Sequence, residues 1–182
     1  MLGRKTDIHK ENEVLERVRQ TPASPAEDDY AGSSGYRALD EEKVPVISFN
    51  LLKNEYAFEI NGAVEVLRCR SITAVPRTTE IIKGILSLRG EIIPIIDLKK
   101  RLGVGVTGEC DGKILIMAIE DLKAGFIVDK LSGVHEVPWN SIVRSSVVEG
   151  SPETSLFVDG VISIGNRTIN LLNLGKIINI SC

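Results

Sequence analysis

From Val44 onward, hydrophobic residues come in short runs that turn-forming or charged residues interrupt. Turns are indicated at Lys53-Asn54, at Asn61-Gly62 and over residues 120–123. Short apolar runs at this spacing are typical of the strands in small β-sandwiches or barrels. The predicted strands are residues 46–52, 55–60, 64–68, 85–88, 92–96, 114–119 and 124–128. Helical periodicity is confined to residues 79–83, 98–102, 139–142 and 174–178, so the fold is predicted to be mainly β with short helices.

The residues before Val44 follow a different pattern. Residues 7–19 are predicted to form an amphipathic helix with Thr6 or Asp7 as its N-cap. One face of this helix carries three apolar residues, Ile8, Leu15 and Val18. Residues 21–35 are rich in Pro, Ala, Ser, Asp and Gly and read as a flexible linker. Two interpretations of the helix stay open, a docking element for a partner or a frayed tail.

Residues 83–103 carry the most patterned chemistry of the chain, K-G-I-L-S-L-R-G-E-I-I-P-I-I-D-L-K-K-R-L-G. Two apolar strands meet at Arg89-Gly90, which indicates a β-hairpin, and Asp97 leads from it into a short basic helix. Gly90 supplies the positive φ of a tight turn, and Pro94, which cannot donate to a ladder, places its strand at an edge or a bulge. Arg89 is unusual because it is a permanently charged, rigid fork at the end of an apolar strand.

This hairpin recurs 76 residues later in the chain. Aligning Gly84 with Gly160 places G-I-L-S-L-R-G-E-I-I-P-I-I-D-L-K-K-R-L over G-V-I-S-I-G-N-R-T-I-N-L-L-N-L-G-K-I-I without a gap, and residues 62–66 faintly echo 133–137. Two copies of one β-unit predict two small barrels that share a core. The copies differ where Arg89, Pro94 and Asp97 are replaced by Gly165, Asn170 and Asn173. Since framework requirements act on both copies, the difference at Arg89 indicates a role peculiar to the first unit.

The composition is that of an ordinary soluble globular protein, with 182 residues of which 43% are hydrophobic and 26% charged. The net charge of −3 comes from residues 1–43, which hold 7 Lys/Arg and 10 Asp/Glu, whereas the remainder holds 15 of each. A neutral folded part gives no electrostatic reason to expect nucleic acid or an anionic membrane as the partner. Neither a membrane-spanning run nor a signal peptide is evident, so we expect a cytoplasmic protein.

Patterns for catalysis and metal binding are weak. Residues 103–108 match G-x-G-x-x-G, but they follow a helical turn instead of a strand, which favours a loop between the two units over an enzyme's dinucleotide site. No nucleophile or second acid has motif spacing near His135, so a surface or packed histidine is favoured over a general base. The spacing of Cys69, Cys110 and Cys182 favours thiols over disulfides or a metal site.

Taken together, these runs resemble the CheW family, whose members are adaptors that join chemoreceptors to the CheA histidine kinase. The resemblance is carried by V-I-S-F-N-L-L-K-N-E-Y-A-F-E-I, A-V-E-V, I-I-K-G-I-L-S-L-R-G-E-I-I-P-I-I-D-L, A-G-F-I-V-D-K-L-S-G-V-H-E-V-P and L-L-N-L-G-K-I-I. It implies two five-stranded β-barrels packed on a shared hydrophobic core, in a CheW-like domain of residues 44–182 behind a flexible leader of residues 1–43. It also implies an adaptor without catalysis, cofactor or metal, recruited to receptor clusters at the inner membrane, where it binds the chemoreceptor cytoplasmic tip and a CheA-type kinase without inserting into the membrane.

The resemblance further implies five partner-binding residues. Arg89 matches the arginine of the family's L-R-G, and Glu65 matches the glutamate of its V-x-E-(I/V) strand. In the family these two charges lie close together on the first barrel, near the groove where the receptor hairpin tip binds. Ala63 stands where the family usually has valine, Gly84 matches the glycine of its K-G, and Val134 matches a position in the second barrel.

Two departures from the family pattern are the L-N-L at Asn173, where L-D-L is frequent, and the 43-residue leader. They leave open whether the adaptor serves chemotaxis or a related pathway of pili or development. A structural component of the receptor array without control of the kinase is the other alternative. With no receiver domain and no kinase ATP-binding segment recognisable, we expect a stand-alone adaptor.

Overall fold

The computed structural model describes residues 5–20, 42–69, 72–108, 112–144 and 152–180, so the predicted linker at 21–35 lies outside the described residues. The strands are β1 (Lys43–Leu51), β2 (Asn54–Glu59), β3 (Ala63–Arg68), β4 (Ile82–Leu88), β5 (Glu91–Ile96), β6 (Lys113–Ile119), β7 (Leu122–Val128), β8 (Lys130–Pro138), β9 (Ile142–Val143), β10 (Val158–Ile164) and β11 (Arg167–Leu172). The helices are α1 (Lys5–Gln20), α2 (Leu98–Arg101), α3 (Pro152–Ser155) and α4 (Leu174–Ile178), with 3-10 turns at Ile60–Gly62 and Trp139–Ser141. The mainly β fold is confirmed.

The strands form two sheets with the same internal order. The five-stranded sheet runs β3-β6-β7-β5-β4, and the six-stranded sheet runs β8-β1-β2-β11-β10-β9. The parallel pair falls at the same place in each, between β5 and β7 in one and between β11 and β2 in the other. Two copies of one five-stranded unit are therefore present, and β9 is the addition to the second. Among the described residues no pairing joins the edge strands of either sheet, so the units are not closed barrels.

The second unit is assembled from both ends of the described chain. β1 and β2 pair with β8 and β11, whereas β3 to β7 form the five-stranded sheet from one continuous segment. The Gly-rich loop at residues 103–108 thus connects α2 to β6 within one unit. The prediction that it lies between the two units is wrong.

Three hydrophobic clusters stabilise the two sheets. One lies within the five-stranded sheet and contains Ile95, a second lies within the six-stranded sheet and contains Leu171, and the third draws residues from both sheets. In this third cluster Phe58 of β2 contacts Phe49 of β1 and Phe126 of β7, with ring centroids 5.3 Å apart in each pair. The predicted shared core is confirmed.

The repeated hairpins share structural details that the sequence alignment equates. The strand register shifts beside Gly84 in one hairpin and beside Gly160 in the other. Asp97 and Asn173 then cap α2 and α4, each accepting a hydrogen bond from the backbone N–H three residues later, at 3.2 and 2.8 Å. Asp97 also accepts two hydrogen bonds from Thr107, which fasten the Gly-rich loop. The N-cap is therefore the same in both copies, although one has Asp97 and the other Asn173.

Of the two alternatives predicted for the strand of Pro94, the edge is wrong because β5 lies between β7 and β4, whereas a bulge does lie next to Pro94, where the register between β4 and β5 shifts at Ile95 and Ile96. β5 pairs with β7 only at Ile95 and Ile96, so Pro94 precedes the ladder on that side. Its counterpart Asn170 has an N–H and pairs with Tyr56 of β2. The missing donor of Pro94 is accommodated by a shorter ladder.

Two of the predicted short helices form, and one does not. Residues 79–83 form a turn leading into β4 instead of a helix, whereas the helices predicted at 98–102 and 174–178 are confirmed. Cys69 is disulfide-bonded, where the sequence predicted a thiol, and the other two cysteines lie outside the described residues. No helix in the described part of the chain is long and apolar enough to cross a membrane.

α1 packs against the two β-units. Its Leu15 side chain is 1% exposed and belongs to the cluster shared by both sheets. α1 contacts β3 and β8, which are edge strands of different sheets, and the turn Ile60–Gly62. In the structure α1 packs on its own chain, an arrangement that differs from both interpretations left open by the sequence, a docking element for a partner or a frayed tail.

Candidate partner-binding surface

Arg89 lies in the two-residue turn between β4 and β5. The strands pair as far as Leu88 and Glu91, and the central residues Arg89 and Gly90 have φ of 51° and 87°. Positive φ at both central residues defines a type I′ turn, whose twist suits a two-residue hairpin. The counterpart of Arg89 is Gly165, with φ of 59°. The hairpin thus requires a left-handed residue here, and a residue with a side chain pays about 1 to 2 kcal/mol for it.

This strain gives a stability prediction. Arg89→Gly is expected to be more stable than Arg89→Ala by about 1 kcal/mol, because both lose the guanidinium but only alanine keeps a Cβ at positive φ. The matched reverse change is Gly165→Ala, since a Cβ there meets no atom within 4 Å and only backbone strain is added. It is expected to destabilise by a similar amount. Urea unfolding of the three variants measures both differences, and equal stability of the glycine and alanine variants at position 89 would contradict the strain.

The Arg89 guanidinium pairs with Glu65 across the open side of the five-stranded sheet. Nη2 of Arg89 lies 3.2 Å from Oε2 of Glu65, and the two side chains are 80% and 20% exposed. Glu65 lies on β3 and Arg89 follows β4, which are opposite edges of this sheet. Because the Arg89 side chain is mostly exposed and its guanidinium has five N–H donors, the group can bind a partner while it is paired with Glu65. The pair therefore presents a charged fork that Glu65 orients from one side.

A β-bulge in β3 places Glu65. The register against β6 shifts between Ala63 and Glu65, and both Ala63 and Val66 are fully buried in the shared cluster. Two residues three apart on a regular strand point to opposite faces, so the extra residue of the bulge is what allows both to face the core. Glu65 is left outside that core, where it reaches Arg89.

Gly84 and Ala63 are buried beneath the surface. Gly84 has φ of 151°, and a Cβ there would collide with the carbonyl oxygen of Thr73. A Cβ at the counterpart Gly160 would lie 2.7 Å from a side-chain atom of Ile142, so glycine is a framework requirement in both copies. The structure brings Glu65 and Arg89 together, whereas Gly84 and Ala63 are buried and serve the framework.

Val134 lies on β8, beside α1. It is half-buried, packs against the shared cluster and pairs with Ile47 of β1. The cleft where α1 crosses β8 has a volume of about 150 Å³ and is lined by Lys10, Val14, Ile47, Leu131, Gly133 and Val134. Ala63 and Glu65 on β3 therefore lie on one side of α1, and Val134 on β8 lies on the other.

Two residues of α1 that contact this region were not among the sequence candidates for partner binding. The Asn12 carboxamide donates to the carbonyl of Val66 at 3.1 Å and accepts from the N–H of Val66 at 2.8 Å. It satisfies both backbone groups of one residue on an edge strand, as a neighbouring strand would. Leu15 could be found from the sequence, since it belongs to the predicted apolar face of the helix. Nothing in the pattern around Asn12 indicates that it pairs with a strand.

The weak catalytic patterns take structural roles. The Gly-rich loop follows a helix and precedes a strand, the reverse of the order in a dinucleotide site, and the N–H of Thr107 within it donates to Asp97. Nε2 of His135 lies 3.0 Å from the Ser48 hydroxyl on the neighbouring strand. Burial lowers the pKa of His135, and the charge of Arg167 lowers it further, which favours the neutral ring. The described residues contain no group of His, Cys, Asp and Glu that could hold a metal ion.

Comparison with known proteins shows which family this architecture resembles. The family model of the CheW-like domain matches residues 45–182. The chemotaxis protein CheW of Thermotoga maritima is 29% identical over 133 residues, covering 73% of this chain and 86% of that protein. Protein FrzA of Myxococcus xanthus is 31% identical over 132 residues, covering 64% of this chain and 74% of that protein.

A solved structure is similar over nearly its whole length. The crystal structure of the scaffolding protein TtCheW from Thermoanaerobacter tengcongensis superposes with a TM-score of 0.69 at 35% identity, covering 77% of this chain and 95% of that one.

Proposed function

The chain belongs to the CheW-like family of chemotaxis scaffold proteins, and on that premise we propose that it couples chemoreceptors to a CheA-type histidine kinase as an adaptor without enzymatic activity. The cytoplasmic tip of the receptor contacts the surface around Arg89 and Glu65. The kinase binds elsewhere on the two β-units, so that both partners are held at once. The protein works in the cytoplasm and is recruited to receptor clusters at the inner membrane.

The observation that carries this proposal is the backbone of Arg89. A charged residue occupies a left-handed turn position that the equivalent hairpin fills with Gly165, and the Arg89 side chain is 80% exposed. Packing within the chain does not explain an arginine there, because glycine would fit the turn with less strain. A planar guanidinium with free donors suits carboxylates or backbone carbonyls of a partner. Glu65 fixes its direction.

Co-sedimentation with receptor-bearing membranes and the kinase tests the proposal. We expect the protein to sediment with the receptors, to bring the kinase with it, and to make kinase activity responsive to receptor ligand. A buffer blank and membranes without receptors are the controls. If the protein sediments with neither receptors nor kinase, the adaptor function is wrong.

A second candidate is a related pathway, favoured by the 31% identity to FrzA. In that case the same surface binds a receptor of another signalling system. Using receptors and kinases of both systems in one sedimentation assay separates the two. Binding to receptors without any change in kinase activity would instead indicate a structural component of the receptor array.

A further inference from the structure

α1 fills the groove between the two β-units. Its walls are β3 and β8, the edge strands of the five-stranded and six-stranded sheets, and α1 contacts both. Among the α1 side chains that the structure describes, Leu15 is the buried one, and it reaches the cluster shared by both sheets. A helix therefore closes the seam at which the two units meet.

The described residues of α1 include one polar and one apolar anchor. The polar anchor is the pair of hydrogen bonds between Asn12 and the backbone of Val66 on β3. The apolar anchor is Leu15, three residues later and on the same helix face. Neighbouring side chains of the helix are exposed, namely His9, Lys10, Glu13, Val14 and Glu16. Among the α1 side chains that the structure describes, Asn12 and Leu15 are two defined anchors, and another helix that carries the same pair can compete for the same sites.

The walls of this groove carry residues assigned above to receptor binding. Ala63 and Glu65 lie on β3, and Val134 lies on β8 in the cleft beside α1. The Glu65 side chain is within contact distance of Arg89, so the groove is continuous with the charged surface. α1 leaves the Arg89 side chain 80% exposed, so an occupant of the groove competes for the walls formed by β3 and β8 and not for Arg89 itself.

We propose that the groove between β3 and β8 binds amphipathic helices, that α1 is its occupant within the chain, and that α1 and a helix of the receptor tip exclude one another from it. The inference rests on the proposed function for the identity of the second occupant. That occupant presents an amide side chain and a large aliphatic side chain three residues apart, as Asn12 and Leu15 do. α1 is then an autoinhibitory element that lowers receptor affinity by the fraction of time it is docked.

The first test compares the full chain with Leu15→Ser and with Glu16→Ser, a control that makes the same substitution at an exposed position of the same helix. If the groove is open about a tenth of the time, Leu15→Ser should bind receptor-bearing membranes about tenfold more tightly, and Glu16→Ser should bind as the unchanged protein does. Hydrogen exchange at the Val66 amide reports docking without any receptor. Its exchange should accelerate in Leu15→Ser and stay the same in Glu16→Ser. Asn12→Ala provides a second release variant should Leu15→Ser fail to fold.

A labelled synthetic peptide of residues 5–20 provides the second test. It should bind the Leu15→Ser chain, whose groove is vacated, and displace that chain from receptor membranes, whereas the peptide carrying Leu15→Ser should do neither. If hydrogen exchange at the Val66 amide is faster in a variant but its receptor binding is unchanged or weaker, the proposed competition between α1 and the receptor is wrong. Failure of the peptide to bind would overturn the helix-binding groove. If the peptide binds but no variant binds receptors, the helix-binding groove is supported and the proposed receptor function is refuted.

Discussion

Arg89→Ala is expected to lose about 30-fold in affinity for receptors, or about 2 kcal/mol, with almost no change in Tm. The affinity falls because an exposed, oriented guanidinium is an anchor of the kind that is desolvated on binding. The Tm stays nearly unchanged because Arg89 is the exposed partner of the ion pair with Glu65, and such a pair contributes about 0.2 to 1 kcal/mol. Alanine also keeps the positive φ of the turn, so the backbone strain is unchanged. Glu65→Ala should weaken binding less, since Glu65 only orients the fork.

Arg167→Ala is the matched control for Arg89→Ala. Arg167 begins β11 of the equivalent hairpin, and its Nη1 lies 3.3 Å from Oε1 of Glu55. It is therefore an arginine paired with a glutamate on the other unit. Sedimentation with receptor membranes and thermal melting are measured for both variants. Normal receptor binding by folded Arg89→Ala would refute the assignment, and a large fall in its Tm would give Arg89 a structural role.

Ile95→Ala and Leu171→Ala are each expected to destabilise the protein by about 2 to 5 kcal/mol, the usual effect of truncating a buried aliphatic side chain. The two residues are equivalent in the repeat, and each lies in the separate core of its own unit. Ile95 is fully buried and Leu171 is 4% exposed. Since the two units also share a core, both variants should shift one common urea transition.

Ile92→Ala serves as the control on the same strand as Ile95. Its side chain is 70% exposed, so the change in unfolding free energy should stay within about 0.5 kcal/mol. Losses well below 1 kcal/mol for both Ile95→Ala and Leu171→Ala would mean that neither run is core. Two separate transitions, each shifted by one variant, would mean that the units unfold independently.

The repeat predicted much of this structure because its requirements are local. A two-residue turn, a bulge at a glycine and an N-cap depend on a few neighbouring residues, and the alignment of Gly84 with Gly160 and of Asp97 with Asn173 identified two of them. The left-handed φ of Arg89 escaped prediction because the positive φ of the turn was assigned to Gly90 alone. A type I′ turn needs positive φ at both central residues. In the sequence, only the alignment of Arg89 with Gly165 indicates that Arg89 adopts a strained backbone conformation.

The long-range arrangement could not be predicted from pattern alone. β1 pairs with β8 through residues such as Val46 and His135, which are far apart in sequence, and alternation of apolar residues does not name the partner strand. The contact between Glu65 and Arg89 depends on two opposite sheet edges approaching each other, and only the family resemblance placed the two charges together. The hydrogen bonds of Asn12 to Val66 left no periodic signal at all.

The pairing of β1 and β2 with β8 and β11 sets the order in which the protein can fold on the ribosome. The five-stranded sheet is complete once Val128 has emerged, but Ala57 of β2 waits for its partner Leu171 of β11, about 114 residues later. At about 5 to 20 residues per second that wait lasts about 6 to 23 s. β8 reaches the β1 edge of the β1–β2 hairpin first, and the β2 edge lacks its strand until β11 emerges, while the five-stranded sheet, complete from Val128 on, offers the hairpin an apolar surface. The continuous unit therefore shields the strands of the divided one until translation delivers their partners.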